Sequence, residues 1–234
     1  QVYIDTEGSV IGQINGLTVV TAGGHEFGEA TRITATVHYG DGDIIDIDRK
    51  PELSGNIHTK GVMILSAYIA NVFARNEAMA LSATIVFEQS YHEVDGDSAS
   101  LAELCCLLSA LADAPIQQGI AITGAVDQFG RVQAIGAVNE KIEGYFELCR
   151  ARGLNGRHGV IIPQANLSQL NLNDDVITAV ADGSFHIYAI NDVSEALELL
   201  TQIQQKQLYE RIEQRLNELQ QGERESSWWR RWFD

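Results

Sequence analysis

Two residues in this chain have the type and setting that acyl-transfer chemistry requires. Ser98 lies in Val94-Asp95-Gly96-Asp97-Ser98-Ala99-Ser100, and Lys141 closes Gly136-Ala137-Val138-Asn139-Glu140-Lys141. Glycine and small residues let the backbone turn sharply before Ser98, and the apolar run from Leu101 to Leu108 reads as a buried helix. Ser98 is therefore placed at the cap or in the first turn of a helix, beside N–H groups that have no partner within it. On those residues alone it is either a helix cap or a nucleophile whose developing oxyanion the free N–H groups would meet. A hydroxyl is a poor nucleophile until a base takes its proton, and a neutral lysine amine can do so. Lys141 would then need its midpoint lowered from ~10.4 to roughly 7–8, by burial or by the positive end of its own helix. A lone helical lysine is ordinarily a surface charge, so the choice turns on the elements that position the two.

The first fifty residues read as β-structure. Short apolar runs from Ile11 to Val20 flank the turn signal Asn15-Gly16, and Arg32 to Tyr39 alternates with period two. Gly40-Asp41-Gly42-Asp43 is read as a turn and Asp43 to Asp48 as a further strand. Helical spacing of apolar residues follows between Lys60 and Asn76, then a strand from Leu81 to Gln89 that leads into the serine loop. Strand, glycine turn, serine and helix in that order put Ser98 at a strand-to-helix edge, where α/β enzymes carry chemistry. The pattern then alternates: strands at Ile120–Val126 and Val132–Ile135, a helix from Val138 to Arg152 with Lys141 in its first turns, a strand at Val160–Ile162, a helix near Asp175–Ala181, and a strand at Phe185–Ile190. The fold class is α/β (α+β), with a β-rich N-terminal section. A long amphipathic helix is expected from Asp192, its face marked by Val193, Leu197, Leu200, Leu208, Ile212, Leu216 and Leu219. Its turns beyond Thr201 are read as an extension able to pair with another copy. The end, Ser227-Trp228-Trp229-Arg230-Arg231-Trp232-Phe233, leaves a membrane-surface anchor, a partner-docking tail and an unstructured terminus all open.

Composition narrows the function classes. The chain has 234 residues and a net charge of −16, from 16 Lys and Arg against 32 Asp and Glu. That balance argues against nucleic acid as a partner, because phosphate binding needs clustered cations. Cys105, Cys106 and Cys149 all fall in apolar helical stretches and form no framework spacing, so reduced thiols and a cytoplasmic location are expected. The six histidines include no His-x-x-x-His pair, so no metal site is expected. No apolar run is long enough to span a bilayer. The chain begins with Gln1 rather than Met and is read as a processed or excised piece.

Read together, Asp95-Gly96-Asp97-Ser98-Ala99-Ser100, Thr123-Gly124 and Gln133-Ala134-Ile135-Gly136-Ala137-Val138-Asn139-Glu140-Lys141 resemble the proteolytic domain of the Lon proteases. In that family a D-G-x-S-A-[GS] segment supplies the serine, and a T-G segment leads into V-x-x-[IV]-G-G-[LV]-x-E-K, which ends on the catalytic lysine. The resemblance extends to Gly12-Gln13-Ile14-Asn15-Gly16-Leu17, Gly61-Val62-Met63-Ile64-Leu65-Ser66 and Gly159-Val160-Ile161-Ile162-Pro163, in order over residues 8–203. Residues 204–234 are set apart as a helical extension with the Trp-rich tail. The Asp before the serine and the approach Phe87-Glu88-Gln89-Ser90-Tyr91 are closer to the archaeal B-type branch and its bacterial relatives.

The resemblance implies a serine endopeptidase acting on unfolded or damaged proteins through an acyl-enzyme, with Ser98 as nucleophile and Lys141 as general base. It implies that Thr123 orients the lysine and that backbone N–H groups around Asp97 and Ser98 hold the oxyanion. Asp95 and Asp97 are either plain turn residues or a latch, since a carboxylate near Lys141 would favour its ammonium form. Ser100, where the family often has glycine, is read as a cap, and Ala137 stands where a second glycine is common. Full Lon proteins join this domain to an ATPase in a hexameric ring. No G-x-x-x-x-G-K-[ST] occurs in this chain, so ATP would act only through a region outside it, and no other cofactor is implied. The alternative is a catalytically silent Lon-fold module for oligomerisation or binding.

Overall fold

The computed structural model describes residues 3–40, 44–46, 56–73, 81–88 and 97–230. A short strand β1 (Ser9–Val10) precedes β2 (Gln13–Ala22) and β3 (His25–Tyr39), an antiparallel pair running from Gln13 opposite Thr34 to Ala22 opposite His25. Its turn is Gly23-Gly24, with φ of +60° and +82°, the backbone that a two-residue hairpin loop demands and that glycine adopts without strain. The turn expected at Asn15-Gly16 is not made. Both residues lie inside β2, and Asn15 uses its Nδ2 to donate to the Asp5 and Gln118 carbonyls instead of closing a turn. The chain continues through β4 (Ile44–Asp46), α1 (Asn56–Phe73), β5 (Leu81–Glu88) and α2 (Ser100–Ala112). Of the turn expected at residues 40–43, only Gly40 lies among the described residues.

Next come β6 (Ile116–Gln117), β7 (Ile120–Ile122), β8 (Ala125–Val126) and β9 (Val132–Gln133). The strand expected over residues 120–126 is thus interrupted at Thr123-Gly124. After α3 (Val138–Arg152) and β10 (His158–Pro163), a 3-10 segment spans Gln164–Gln169, followed by α4 (Asp174–Ala181) and β11 (Phe185–Ile190). The long helix expected from Asp192 is two helices, α5 (Val193–Thr201) and α6 (Gln205–Arg230), because Gln202 turns left-handed with φ +59°.

The strands form a mixed seven-stranded sheet ordered β11-β10-β7-β2-β3-β5-β4, with β11, β10, β7 and β2 parallel and the β3 pairings antiparallel. Period-two alternation sends side chains to two cores on opposite faces. Ile14, Ile33, Ala35, Ile122 and Ile161 join α1, α2, α5 and α6 on one face, whereas Leu17, Ala121, Val160 and Ile162 join α3 and α4 on the other. Helix α2 is apolar around its girth because it is enclosed: all its residues but Ala110 are buried. Leu208 and Ile212 of α6 are fully buried in that same core. Trp228 and Trp229 fall at the end of α6, and Trp232 and Phe233 lie outside the described residues. No helix among the described residues is long and apolar enough to cross a membrane.

Candidate active site

The two faces meet the chemistry from opposite sides: α2 begins beside Ser98, and α3 carries Lys141 from across the sheet. Ser98 is half-buried, two residues before the start of α2. The N-cap residue is Ala99, with no side-chain cap bond, so Ser98 is not the helix cap. Its turn is pinned on two sides. The Ser98 carbonyl accepts from Gly124 N at 3.0 Å, and Leu101 N donates to the Gly124 carbonyl at 3.2 Å. Ser100 Oγ donates to the Asp97 carbonyl at 2.7 Å and accepts from Val126 N at 3.1 Å. Ser100 is therefore a buried brace between the serine turn and β8 rather than the cap expected of it. The break at Thr123-Gly124 is what frees these backbone groups to pair with the turn.

Lys141 comes from a helix whose buried positions are Val138, Lys141, Ile142, Tyr145, Phe146 and Cys149, so the lysine lies in the apolar stripe itself. It is 4% exposed. The stripe can press this close to the sheet because α3 meets the hairpin at glycines. A Cβ on Gly144 would stand 2.0 Å from the Gly28 carbonyl oxygen, and one on Gly28 the same distance from that of Glu140. Helix α3 starts from Ala137 at φ +54°, left-handed backbone that costs a Cβ-bearing residue about 1–2 kcal/mol. The position where the resemblance expects glycine is thus one whose backbone favours it.

The stripe brings Lys141 Nζ to 3.2 Å from Ser98 Oγ and 3.3 Å from Thr123 Oγ1, donating to both. Thr123 is itself fully buried, its backbone N donating to the Ile161 carbonyl at 3.1 Å. Burial lowers the Lys141 ammonium from 10.5 to about 8, because the charged form has lost water. Among the described residues no carboxylate is ion-paired with it, Asp97 included. Asp97 is half-buried and turns the chain through its carbonyl, which accepts from both Ser100 N and Ser100 Oγ. Asp95 lies outside the described residues. Among those described, no group of three or more His, Cys, Asp or Glu is placed to hold a metal. Cys105, Cys106 and Cys149 are free thiols and buried.

This arrangement can do one kind of chemistry well. An amine whose midpoint of about 8 leaves a usable neutral fraction near physiological pH faces a hydroxyl at hydrogen-bond distance, while a second hydroxyl takes one of its N–H groups and leaves the neutral form's lone pair for the first.

The whole chain has recognisable relatives. Residues 3–202 match the family described as Lon protease (S16) C-terminal proteolytic domain. A putative Lon protease homolog of Escherichia coli (strain K12) is 49% identical over 245 residues, covering 100% of this chain and 42% of the relative. One from Haemophilus influenzae is 54% identical over 202 residues, covering 86% of the chain and 34% of the relative. An archaeal Lon protease from Thermoplasma acidophilum is 31% identical over 221 residues, 91% of the chain and 31% of the relative. The chain spans less than half the length of these relatives.

Proposed function

The chain belongs to the Lon proteases as a proteolytic domain of the serine-peptidase kind, and from that we propose that it cleaves peptide bonds of unfolded polypeptides through a Ser98–Lys141 dyad. The observation that carries this reading is the 3.2 Å approach of a buried Lys141 amine to the Ser98 hydroxyl. With a midpoint of about 8, roughly a tenth of Lys141 is neutral at pH 7.

In the first step neutral Lys141 takes the Ser98 proton as Oγ bonds to the scissile carbonyl carbon, and the carbonyl electron pair moves to oxygen. Backbone N–H groups around Asp97 and Ser98 receive that oxyanion; those of Ser100 and Leu101 are already committed to Asp97 and Gly124. Collapse of the oxyanion breaks the C–N bond, and the departing amine takes its proton from the Lys141 ammonium. A water then gives a proton to Lys141 and attacks the Ser98 ester, and the ammonium returns that proton to Ser98 as the acid leaves. Throughout, Thr123 accepts one Lys141 N–H and holds the amine facing the serine.

The same reading assigns substrate unfolding to an ATPase outside these residues and groups the domains in a hexameric ring in the cytoplasm. The dyad is tested with casein and a fluorophosphonate probe. Ser98→Ala and Lys141→Ala, both still folded by circular dichroism, should lose at least 10³-fold in cleavage, on the order expected for a nucleophile or its base. Equal cleavage by wild type and Ser98→Ala would make the chain a binding or assembly module instead.

A further inference from the structure

We infer that Gln164–Asn173 is a clasp that sets the direction in which Lys141 points, with Asn166 as its buried anchor. The inference rests on Lys141 being the base for Ser98.

Asn166 is fully buried, unusual for an amide unless every polar atom is used. Its Oδ1 accepts from Ile135 N at 3.0 Å and its Nδ2 donates to the Ile135 carbonyl at 2.9 Å, so one side chain pairs with both backbone groups of one residue, as a strand would. Nδ2 also donates to Gln169 Oε1 at 2.8 Å, which links the anchor to the rest of its segment. Ile135 stands just before the Gly136-Ala137 turn, and the Ala137 carbonyl accepts from Lys141 N at 3.1 Å. The path from Asn166 to the lysine backbone is therefore short and hydrogen-bonded at both ends.

The same segment also grips α3 itself at two residues. Asn139 Nδ2 donates to the Gln169 carbonyl at 3.0 Å, and its Oδ1 accepts from Asn171 N at 2.8 Å. Glu143 Oε1 accepts from Asn173 N at 2.8 Å. Residues 135, 139 and 143 bracket Lys141 on both sides, so the clasp resists rotation of α3 about its own axis. That freedom matters most for the base. Nζ sits at the end of a long side chain, and rotating the helix by about 10° would carry it on the order of 1 Å. A 3.2 Å bond to Ser98 does not survive such a shift as a productive contact.

Nothing charged competes for control of the lysine among the described residues. Glu140 and Glu143 share its helix, Glu26 and Glu29 lie on β3, His158 on β10 and Asp97 before Ser98, and none is ion-paired with it. Its environment is set by where the helix aims it. Asn166 touches neither Ser98 nor Lys141 and so is a positioning residue, not a catalytic one.

The test reads the lysine directly. The chain has four lysines, which can be labelled with carbon-13 at Cε and titrated by NMR, Lys141 being assigned as the signal missing from Lys141→Met. Wild type should titrate near 8. In Asn166→Ala the amine swings toward water, and its midpoint should rise by about one pH unit or more toward ~10.4. Asn139→Ala, which removes an outer grip and leaves the buried anchor, should give a smaller rise and serves if Asn166→Ala does not fold. Loss of stability alone would not move this midpoint. A wild-type value near 10.4, or midpoints unmoved in every variant that folds, would overturn the clasp. Failure of the dyad reading is distinguishable: fluorophosphonate labelling of Ser98 would then be the same in wild type and Lys141→Met, whatever the titration shows.

Discussion

Lys141→Met should abolish cleavage and yet make the protein more stable at pH 7. Met has nearly the length and volume of Lys and keeps the apolar packing of the α3 stripe, while removing the amine. An ammonium whose midpoint falls from 10.5 to about 8 on folding costs about 3 kcal/mol of stability while it remains charged in both states. The substitution removes that cost. It also removes two hydrogen bonds, to Ser98 and Thr123, which together cost about 2 kcal/mol, the smaller share at the half-buried Ser98 hydroxyl, which can still reach water, and the larger at the buried Thr123 hydroxyl. The net gain below pH 8 is about 1 kcal/mol, or roughly 2–4 °C in Tm for a chain of this size.

The pH dependence makes the argument exacting. The folded midpoint lies below the unfolded one, so between them the unfolded chain binds more protons and wild-type stability rises with pH. The burial cost is full below about 8 and gone above 10.5. The advantage of Lys141→Met should therefore shrink through that window and reverse near its upper end, where only the lost hydrogen bonds remain. Other titrations are common to both proteins and cancel in the difference. Urea denaturation of wild type and variant from pH 7 to pH 10.5 measures it. A variant less stable than wild type at pH 7, or a difference flat across the range, would refute the assignment of Lys141 as a buried, largely desolvated amine.

Two further substitutions probe how α3 is seated. Ala137→Gly relieves left-handed backbone costing about 1–2 kcal/mol and adds about 0.5–1 kcal/mol of unfolded-state entropy. Thermal denaturation should show stability unchanged or raised by up to about 1.5 kcal/mol with cleavage retained; a loss beyond about 1 kcal/mol would contradict the strain at this residue. Gly144→Ala should do the reverse of what helix propensity predicts, destabilising by about 1–3 kcal/mol because its Cβ would stand 2.0 Å from the Gly28 carbonyl oxygen, an atom that cannot yield. The helix must back away by an ångström or so, and kcat on casein should fall by roughly 10².

Much of the fold was legible because it is written in local periods. Arg32–Tyr39 and Leu81–Glu88 alternate because one side of each faces a core, and Val138–Arg152 carries its apolar residues at helical spacing. What misled was local grammar overruled by distant contacts. Asn15-Gly16 has the composition of a turn, but β3 on one side and the Asp5 and Gln118 carbonyls on the other hold it extended. Leu197 to Leu219 keeps one apolar face across a break, because α5 and α6 both press on the same core and the left-handed Gln202 between them leaves no mark in that pattern.

The site divides along the same line. Ser98, Thr123 and Lys141 stand in short motifs, and α3 carries a second signal: a lysine at the second position of a stripe otherwise filled by Val138, Ile142, Tyr145, Phe146 and Cys149. A charge in that row must either disrupt the packing or be neutral when it matters, so the pattern itself argues for a lowered midpoint. Asn166, Gly28 and Gly144 carried no such mark, because their roles exist only once α3 meets the hairpin and the segment after β10. A buried amine that costs about 3 kcal/mol tends to pull its helix outward toward water. Two glycines in backbone contact on one side and three hydrogen-bonded grips on the other oppose that pull. The same contacts hold the Lys141 midpoint down and aim its amine, so any change that loosens α3 should raise that midpoint and misdirect the amine together.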